Sequence, residues 1–396
     1  MLETHLPHPA PTPTPTPTPT PATWRERWQA WRDGVLISPD FQRRAARTWW
    51  MRPIARRRAR ALFDLVAGFV YSQVLLACVR LKLFDHLAAG PLSAAELQRR
   101  LDLPAEGTER LLAAAVALEL IDRRDGPQGQ RYSLGKLGAP MVANEAVQAM
   151  VEHHAVLYGD LADPVALLKG GTSPALSRYW AYASAATPGS LPPEAVNEYS
   201  ALMSASQPLV ADEVLDAYDI GRHRCLLDVG GGQGRFLLAA ARRSATLQLT
   251  LFDLPGVVPA AQRAFAAAGV AERANVHGGD FTRDALPTGA DIASLIRVIY
   301  DHPDERAAII LAAVHAALPP GGTLLLAEPM AGASGAPRMG DAYFNFYLLA
   351  MHGGRSRTAE QLGSLIRAAG FEDVRELATP IPLQVSVLVA RKPRSA

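Results

Sequence analysis

The apolar positions change their spacing along this chain, and each change marks a new kind of element. Trp24, Trp28 and Trp31 recur at i, i+4 and i+7, which places them on one face of a helix. Thr23 with Glu26 forms a capping-box pattern ahead of them. Residues 61–87, ALFDLVAGFVYSQVLLACVRLKLFDHL, are nearly all apolar and read as one helix. The charge-free part of that run, Leu65 to Val79, is shorter than the ~20 residues of a membrane span and contains Ser72 and Gln73. A buried core helix is therefore expected there. Ser93 with Glu96 caps a further helix, LPAEG turns, Thr108 opens the next helix, and IDRRDGPQGQRYSL reads as a hairpin around Gly126 to Gly129. Helix, turn, helix, hairpin is a winged-helix pattern. Residues 140–220 read as helices and loops, with a Pro-rich break near 187–193, suited to covering a pocket.

From about residue 222 short apolar runs alternate with helical patterns. CLLDVGGGQG is a strand and a glycine loop, FLLAAARRS a helix, LQLTLFDLP a strand and VVPAAQRAFAAAGV a helix. ANVHGGDF, ADIASLIRVIY and GGTLLLAEP continue as strands, with the helix DERAAIILAAVHAAL between the last two. After the helix TAEQLGSLIRAAG the chain closes on two strands, DVRELAT and LQVSVLVARK. Such alternation predicts an α/β fold with a parallel sheet and helices on both faces. Two closing strands with no helix between them predict an antiparallel edge pair.

Composition narrows the partners. The whole chain carries a formal charge of only +2, so overall charge points to no partner. The charge is uneven, however. Residues 23–60 hold eleven arginines against Glu26, Asp33 and Asp40, with Trp49 and Trp50 adding to the earlier tryptophans. This arm reads either as an amphipathic segment resting on anionic lipid or as a helical arm against a partner subunit. Residues 9–21 are a Pro-Thr repeat, an extended solvated tail, and the N-terminus has no secretory signal pattern. Cys78 and Cys225 lie far apart in apolar surroundings, which suits a reducing cytosol and gives neither a disulfide framework nor a metal spacing. Adjacent His153 and His154 point to different faces and make a poor metal site, so no metal is expected. The second helix of the winged-helix pattern offers only Arg110 as a cation, too little to grip phosphates and base edges, so no nucleic-acid partner is expected.

The chemistry-bearing motifs sit at successive strand ends. DVGGGQGR has glycines at 230, 231, 232 and 234, but the sixth position counted from Gly230 is Arg235, so the dinucleotide pattern G-x-G-x-x-G fails. What remains, with Gly230 and Gly232, still lets a ligand approach the backbone closely. Asp253 ends the next strand, where an acid can accept from two ribose hydroxyls. The third strand ends in GGDF, where Gly279 keeps the loop thin, Asp280 can accept from an adenine amine and Phe281 can lie against the ring.

LLDVGGGQGRFL, LFDLPGVV, GGDF, LIRVIYDHPDE and LPPGGTLLLAEPM resemble, in order and spacing, the class I S-adenosylmethionine-dependent O-methyltransferases, and within them the dimeric group of hydroxyindole and caffeate enzymes. The resemblance covers residues 61–396. It implies a C-terminal Rossmann-like methyltransferase sheet (196–396) behind an N-terminal, mostly α, winged-helix-type dimerisation and substrate-covering domain (61–195). The arm (23–60) and tail (1–22) precede them. It implies S-adenosyl-L-methionine as cofactor, with Gly230 and Gly232 at its methionine part, Asp253 at the ribose, and Gly279, Asp280 and Phe281 at the adenine. Arg297 matches a cofactor-contacting arginine, and a homodimer is implied. The arm with RRRARALFDLVAGFVYSQVLLACVRLKLFDHL further resembles the carotenoid 1-hydroxyl methyltransferases of spheroidene biosynthesis in purple photosynthetic bacteria. That implies methylation of the tertiary 1-hydroxyl of an acyclic, membrane-dissolved carotenoid by a cytoplasmic enzyme held peripherally at the inner or photosynthetic membrane.

One turn departs from the family. Where phenol-methylating relatives carry His-Asp-Trp, this chain has Tyr300, Asp301 and His302. Glu328 matches a family acid on the next strand, while a further acid is replaced by Ser356. Two catalytic readings stand. Tyr300 orients the acceptor hydroxyl while Glu328 or water takes the proton, or His302 swings in as base. Two other functions stay open at this point: methylation of a soluble phenol or polyketide, and a winged-helix regulator with a retired catalytic domain.

Overall fold

The computed structural model describes residues 23–127, 129–180, 203, 207–208, 210–333, 338–379 and 385–394. The Pro-Thr tail and the Pro-rich break near 187–193 lie outside these. The chain forms two compact units, Met1–Gln73 and Val74–Ala396, so the expected divide near 195 falls inside the second unit.

In the first unit, Thr23 caps the helix Trp24–Ile37 through the capping box: the Thr23 amide donates to Glu26 Oε2 at 2.6 Å and the Glu26 amide to Thr23 Oγ1 at 3.3 Å. Pro39–Arg47 follows, then one long helix, Arg52–Arg80. That helix differs from the expectation of a buried segment over 61–87. It starts nine residues earlier than residue 61 and stops at Arg80. Lys82, in the left-handed region at φ 52°, then turns the chain into Leu83–Ala88. Its buried residues are confined to Leu76, Cys78 and Val79, whereas Leu62, Phe63, Leu65, Val66 and Phe69 are exposed. Described by itself, the helix is long and apolar enough to cross a membrane. An apolar stripe needs a facing partner to be buried, and the exposed large side chains form a stripe over about half of the helix circumference.

The second unit begins with the winged-helix pattern. Ser93 and Glu96 form a capping box on Ala94–Leu101. The next helix, Ala105–Ala117, opens earlier than expected, behind Pro104; Thr108 lies inside it, buried, with its hydroxyl donating back to the Pro104 carbonyl at 3.1 Å. Strands β1 (Ile121–Gly126) and β2 (Gly129–Leu134) form the expected antiparallel hairpin. Phe84, Leu97, Leu112, Ala115 and Ile121 make the core of this part.

The large sheet comprises β3 (Cys225–Val229), β4 (Gln248–Asp253), β5 (Ala274–Gly278), β6 (Ile292–Ile296), β7 (Thr323–Glu328), β8 (Glu372–Leu377) and β9 (Ser386–Arg391). Their order is β5-β4-β3-β6-β7-β9-β8; the first five are parallel, and β9 is antiparallel to both neighbours. The predicted antiparallel edge pair is present. The last strand lies inside because SVLVAR is buried over five of its six positions, while EDVREL is mostly exposed and takes the edge. Side chains alternate between two cores. Leu226, Leu249, Leu251 and Leu325 face the helices Arg235–Arg243 and Val258–Ala267, while Leu227, Leu324 and Leu326 face Asp304–Ala317 and Ala359–Ala368. After β3 the chain builds β4 and β5 on one side, then returns to place β6 on the other. The strand order thus reverses between β3 and β6, and a crevice opens at their carboxyl ends.

Candidate active site

That crevice is a cleft open to solvent, with about 910 Å³ of empty space when the solvent at its mouth is counted. Gly230, Gly231, Gly232, Asp253, Asp280, Phe281, Arg297 and His302 line it. Six of the seven residues expected to face a cofactor are therefore brought together. Gly279 is the exception in position: it lies behind the wall, where a Cβ would come within 2.5 Å of the Phe252 ring.

The loop after β3 is shaped by a buried acid. A Cβ on Gly231 would sit 2.4 Å from Asp228 Oδ2, so a side chain there would displace the buried carboxylate. Asp228 is 1% exposed, accepts from Ser294 Oγ at 2.6 Å, and is pushed up to about 7 by burial. Asp253 ties the loop to β4. Its Oδ2 accepts from the Gly232 amide at 2.6 Å and its Oδ1 from the Leu254 amide at 2.7 Å. Burial lifts it to about 6, against those two amides, which favour the charged form. Asp280 uses Oδ1 to accept from the Thr282 amide and hydroxyl, at 2.9 and 2.6 Å. Arg297 follows β6 with φ 58°, a strained non-glycine conformation of the kind that gathers at functional sites, and its Nη2 donates to Gln207 Oε1 at 2.7 Å.

The turn carrying Tyr300, Asp301 and His302 splits between two environments. His302 lines the cleft, 3% exposed, edge-on to Phe281 at 5.6 Å, and its Nδ1 has no hydrogen-bond partner. Burial, then the charges of Arg306 and Arg357, depress it to about 3, so the ring is neutral. Tyr300 lies outside the cleft lining. Its side chain joins a cluster with Leu157, Trp180, Val257 and Tyr347, with Phe344 edge-on at 5.9 Å. Burial holds its hydroxyl well above the usual value of 10. Glu328, fully buried at the end of β7, also lies outside the lining. Its Oε2 accepts from the Tyr300 amide at 3.0 Å, and burial pushes it up to about 8. Of the three acid–base candidates, only His302 faces the cleft, while Glu328 supports the main chain of Tyr300.

Sequence reasoning missed what grips this turn. Arg357 is completely buried and donates to the Ile299 carbonyl at 3.1 Å, the His302 carbonyl at 2.7 Å and Asp304 Oδ1 at 2.8 Å. Beside it the Arg355 amide donates to the Tyr300 carbonyl at 3.0 Å. Gly354, at φ 70°, lies so close to that carbonyl that a Cβ would fall 1.9 Å from it. In the segment GGRSRT only Ser356, in place of a family acid, drew notice; nothing in it announced that one arginine is buried. His153 and His154 also gained partners across the fold. His153 Nε2 is 2.7 Å from Tyr347 Oη, and His154 Nε2 is 2.6 Å from Tyr343 Oη. No cluster of metal-binding side chains occurs among the described residues.

A doubly covered parallel sheet with a glycine loop, a strand-end acid and an aromatic-walled cleft defines a Rossmann-like nucleotide-cofactor enzyme. Comparison with known proteins makes the class specific. An O-methyltransferase domain matches residues 158–372, and an O-methyltransferase dimerisation domain matches residues 63–144. The chain is 43% identical to demethylspheroidene O-methyltransferase of Cereibacter sphaeroides over 359 residues, 91% of this chain and 94% of that protein. It is 33% identical to mouse acetylserotonin O-methyltransferase over 335 residues, 81% of this chain and 85% of that protein. The crystal structure of human N-acetylserotonin methyltransferase with S-adenosylmethionine superposes with a TM-score of 0.70 at 26% identity, covering 85% of this chain and 98% of that one. The chain belongs to the S-adenosylmethionine-dependent O-methyltransferase family. It carries that family's dimerisation domain, and its cofactor is S-adenosylmethionine. The cleft fits that group: carboxylates suit a diol and an exocyclic amine, Phe281 suits a purine face, and the bare glycine loop admits the chain that links them.

Proposed function

We propose that the enzyme methylates the tertiary 1-hydroxyl of a long acyclic carotenoid of the demethylspheroidene type. The observation that carries this is similarity running nearly end to end with demethylspheroidene O-methyltransferases, at 43% and 41% identity. The departure at Tyr300 supports it. A phenol titrates near 10, within reach of a histidine base, whereas an aliphatic alcohol is at best about as acidic as water, roughly 15.7. With such an acceptor the proton leaves late, as charge develops on oxygen, and a resting base contributes less.

In this reading Gly230 and Gly232 admit the methionine part of the cofactor, Asp253 accepts from the ribose hydroxyls, and Gly279, Asp280 and Phe281 form the adenine end with Arg297 alongside. S-adenosylmethionine supplies an already activated methyl group. The protein's task is to align the acceptor and exclude water, which can supply several kcal/mol. Tyr300, which stands outside the cofactor cleft beside Leu157, Trp180 and Tyr347, is kept protonated by burial, so from that side it orients the hydroxyl rather than deprotonating it. The neutral His302 or water receives the proton, since Glu328, raised to about 8, already holds one at neutral pH. An acceptor dissolved in a bilayer is consistent with the inferred position of the enzyme, cytoplasmic and peripheral to the inner or photosynthetic membrane, with residues 23–60 as the proposed contact.

The test is incubation with labelled cofactor and a panel of hydroxylated carotenoids and soluble phenols. Transfer to the tertiary carotenoid alcohol is expected. Transfer to phenols alone overturns the proposal.

A further inference from the structure

Of the large apolar side chains that stand exposed, most lie between Trp24 and Val70. Part of that surface has an assigned partner: Phe63 onward falls in the dimerisation domain, whose occupant is a second copy. Residues 24–60 lie outside both matched domains.

The helix Trp24–Ile37 is sorted around its axis. At about 100° per residue, Trp24, Trp28, Trp31 and Val35 fall within an arc of about 60°. Arg25 and Arg32 flank that arc on one side and Arg27 on the other, while Glu26 and Asp33 lie opposite it. The three tryptophans are 73%, 53% and 65% exposed. The guanidinium of Arg25 sits 5.6 Å from the Trp24 ring and that of Arg32 5.7 Å from the Trp28 ring, so cations and rings already share one side of the helix. A tryptophan stripe bordered by arginines, of which Arg32 also donates to Asp33 Oδ1 at 2.6 Å, matches a bilayer surface: indole at the level of the headgroups and guanidinium against anionic phosphate. A protein partner that buried the stripe would also have to desolvate or pair the three bordering arginines. Anionic headgroups pair them without leaving water.

We propose that the helix Trp24–Ile37 docks on an anionic lipid surface, with Trp24, Trp28 and Trp31 entering the interface and Arg25, Arg27 and Arg32 contacting lipid phosphates. The remaining arginines of the arm add to the attraction. The docking deepens the function proposed above and rests on that reading for its purpose, but not for its evidence.

The test is flotation of the full-length protein with phosphatidylcholine vesicles, with and without about one third phosphatidylglycerol. Tryptophan emission is read in parallel, since five of the six tryptophans lie in the arm. Flotation and a blue shift are expected with the anionic vesicles, and their loss at high salt. Replacing Arg25, Arg27 and Arg32 together by Gln is expected to lower partitioning on the order of a hundredfold. Replacing Trp24, Trp28 and Trp31 by Ser is expected to abolish the shift, with circular dichroism confirming the fold. No flotation on anionic vesicles overturns the proposal. So does equal flotation on both vesicle types that the arginine changes leave untouched, or a blue shift that follows protein concentration without lipid, which assigns the stripe to a second copy. Methyl transfer to detergent-dispersed carotenoid is read separately: its failure in the parent protein sinks the substrate assignment and leaves the docking standing.

Discussion

Replacing Arg357 by Met is the most informative perturbation of the turn that carries Tyr300, Asp301 and His302. The guanidinium is wholly buried, and its acceptors are the carbonyls of Ile299 and His302 and the carboxylate of Asp304. Methionine fills similar space but donates nothing. Two carbonyls then lose a buried donor, at about 1–3 kcal/mol each, and Asp304 retains only Arg355, at 3.0 Å. Asp304 is itself 41% exposed, so its share is discounted for solvent, and the two buried carbonyls set a total of about 2–6 kcal/mol. That corresponds to a fall of roughly 1 M or more in the urea midpoint. Arg357→Lys keeps the charge but cannot serve three acceptors in a plane, and an intermediate loss is expected. Turnover should fall further than stability accounts for, because a misplacement of about 1 Å at a reacting centre can cost on the order of a hundredfold. Cofactor affinity should change less, since Asp253 and the glycine loop do not touch Arg357. The measurements are urea unfolding, calorimetry with S-adenosylhomocysteine, and turnover at low temperature under conditions where both variants remain folded. An Arg357→Met protein with the parental midpoint and parental turnover would refute the clamp.

Asp253→Ala should weaken cofactor binding by roughly 10–100-fold, from the loss of hydrogen bonds to a charged acceptor; calorimetry showing unaltered affinity removes the ribose assignment. Because Asp253 titrates near 6 in the folded protein and binds a diol best when ionised, parental affinity should decline as pH falls through about 6, and a flat profile contradicts this. Tyr300→Phe should lower turnover and leave cofactor affinity unchanged; full activity there, with activity lost in His302→Ala, transfers the role to His302. Glu328 is raised from 4.5 to about 8, so the folded state holds a proton that the unfolded state releases, and its contribution to stability is present below 4.5 and lost as pH rises through about 8. Glu328→Gln keeps an acceptor for the Tyr300 amide and should remove that slope. It should therefore gain on the parent by a few kcal/mol between pH 5 and 9, and parallel stability curves for the two proteins count against the assignment.

Much of the fold was legible because it rests on short-range pattern. Period-two and fully apolar runs marked the strands, Ser93 with Glu96 marked a helix start, and the glycine loop marked the first crossover. The cofactor cleft was legible for the same reason: its residues sit at strand ends, where topology alone brings them together. Burial of long-range partners was not legible. Arg357 reads as one more cation beside two glycines, and only the packing of GGRSRT under the 299–304 turn takes it out of water. Thr108 looked like a cap, but Pro104 already fixed an extended entry to the helix, and the threonine hydroxyl turned inward. The helix Arg52–Arg80 was misjudged for a different reason. Apolar composition shows that a segment seeks a non-aqueous neighbour, but it does not say whether that neighbour belongs to the same chain.

The substitution at Tyr300 takes on a sharper meaning once its surroundings are counted. A histidine at that place would need a cleft able to hold its charge after proton transfer. Here three neighbouring ionisable groups are driven towards neutrality by burial: Tyr300 upward, Glu328 to about 8, and His302 to about 3. Of the charges beside them, Arg357 and Arg297 are each held by acceptors of the protein itself. Such a site offers little to an acceptor that must ionise before it reacts. It offers more to a neutral alcohol whose oxygen gains charge only as the methyl arrives, with hydrogen bonds rather than a free base governing its approach. The loss of the histidine is thus of one piece with the burial around it, and both fit an apolar acceptor better than a phenol.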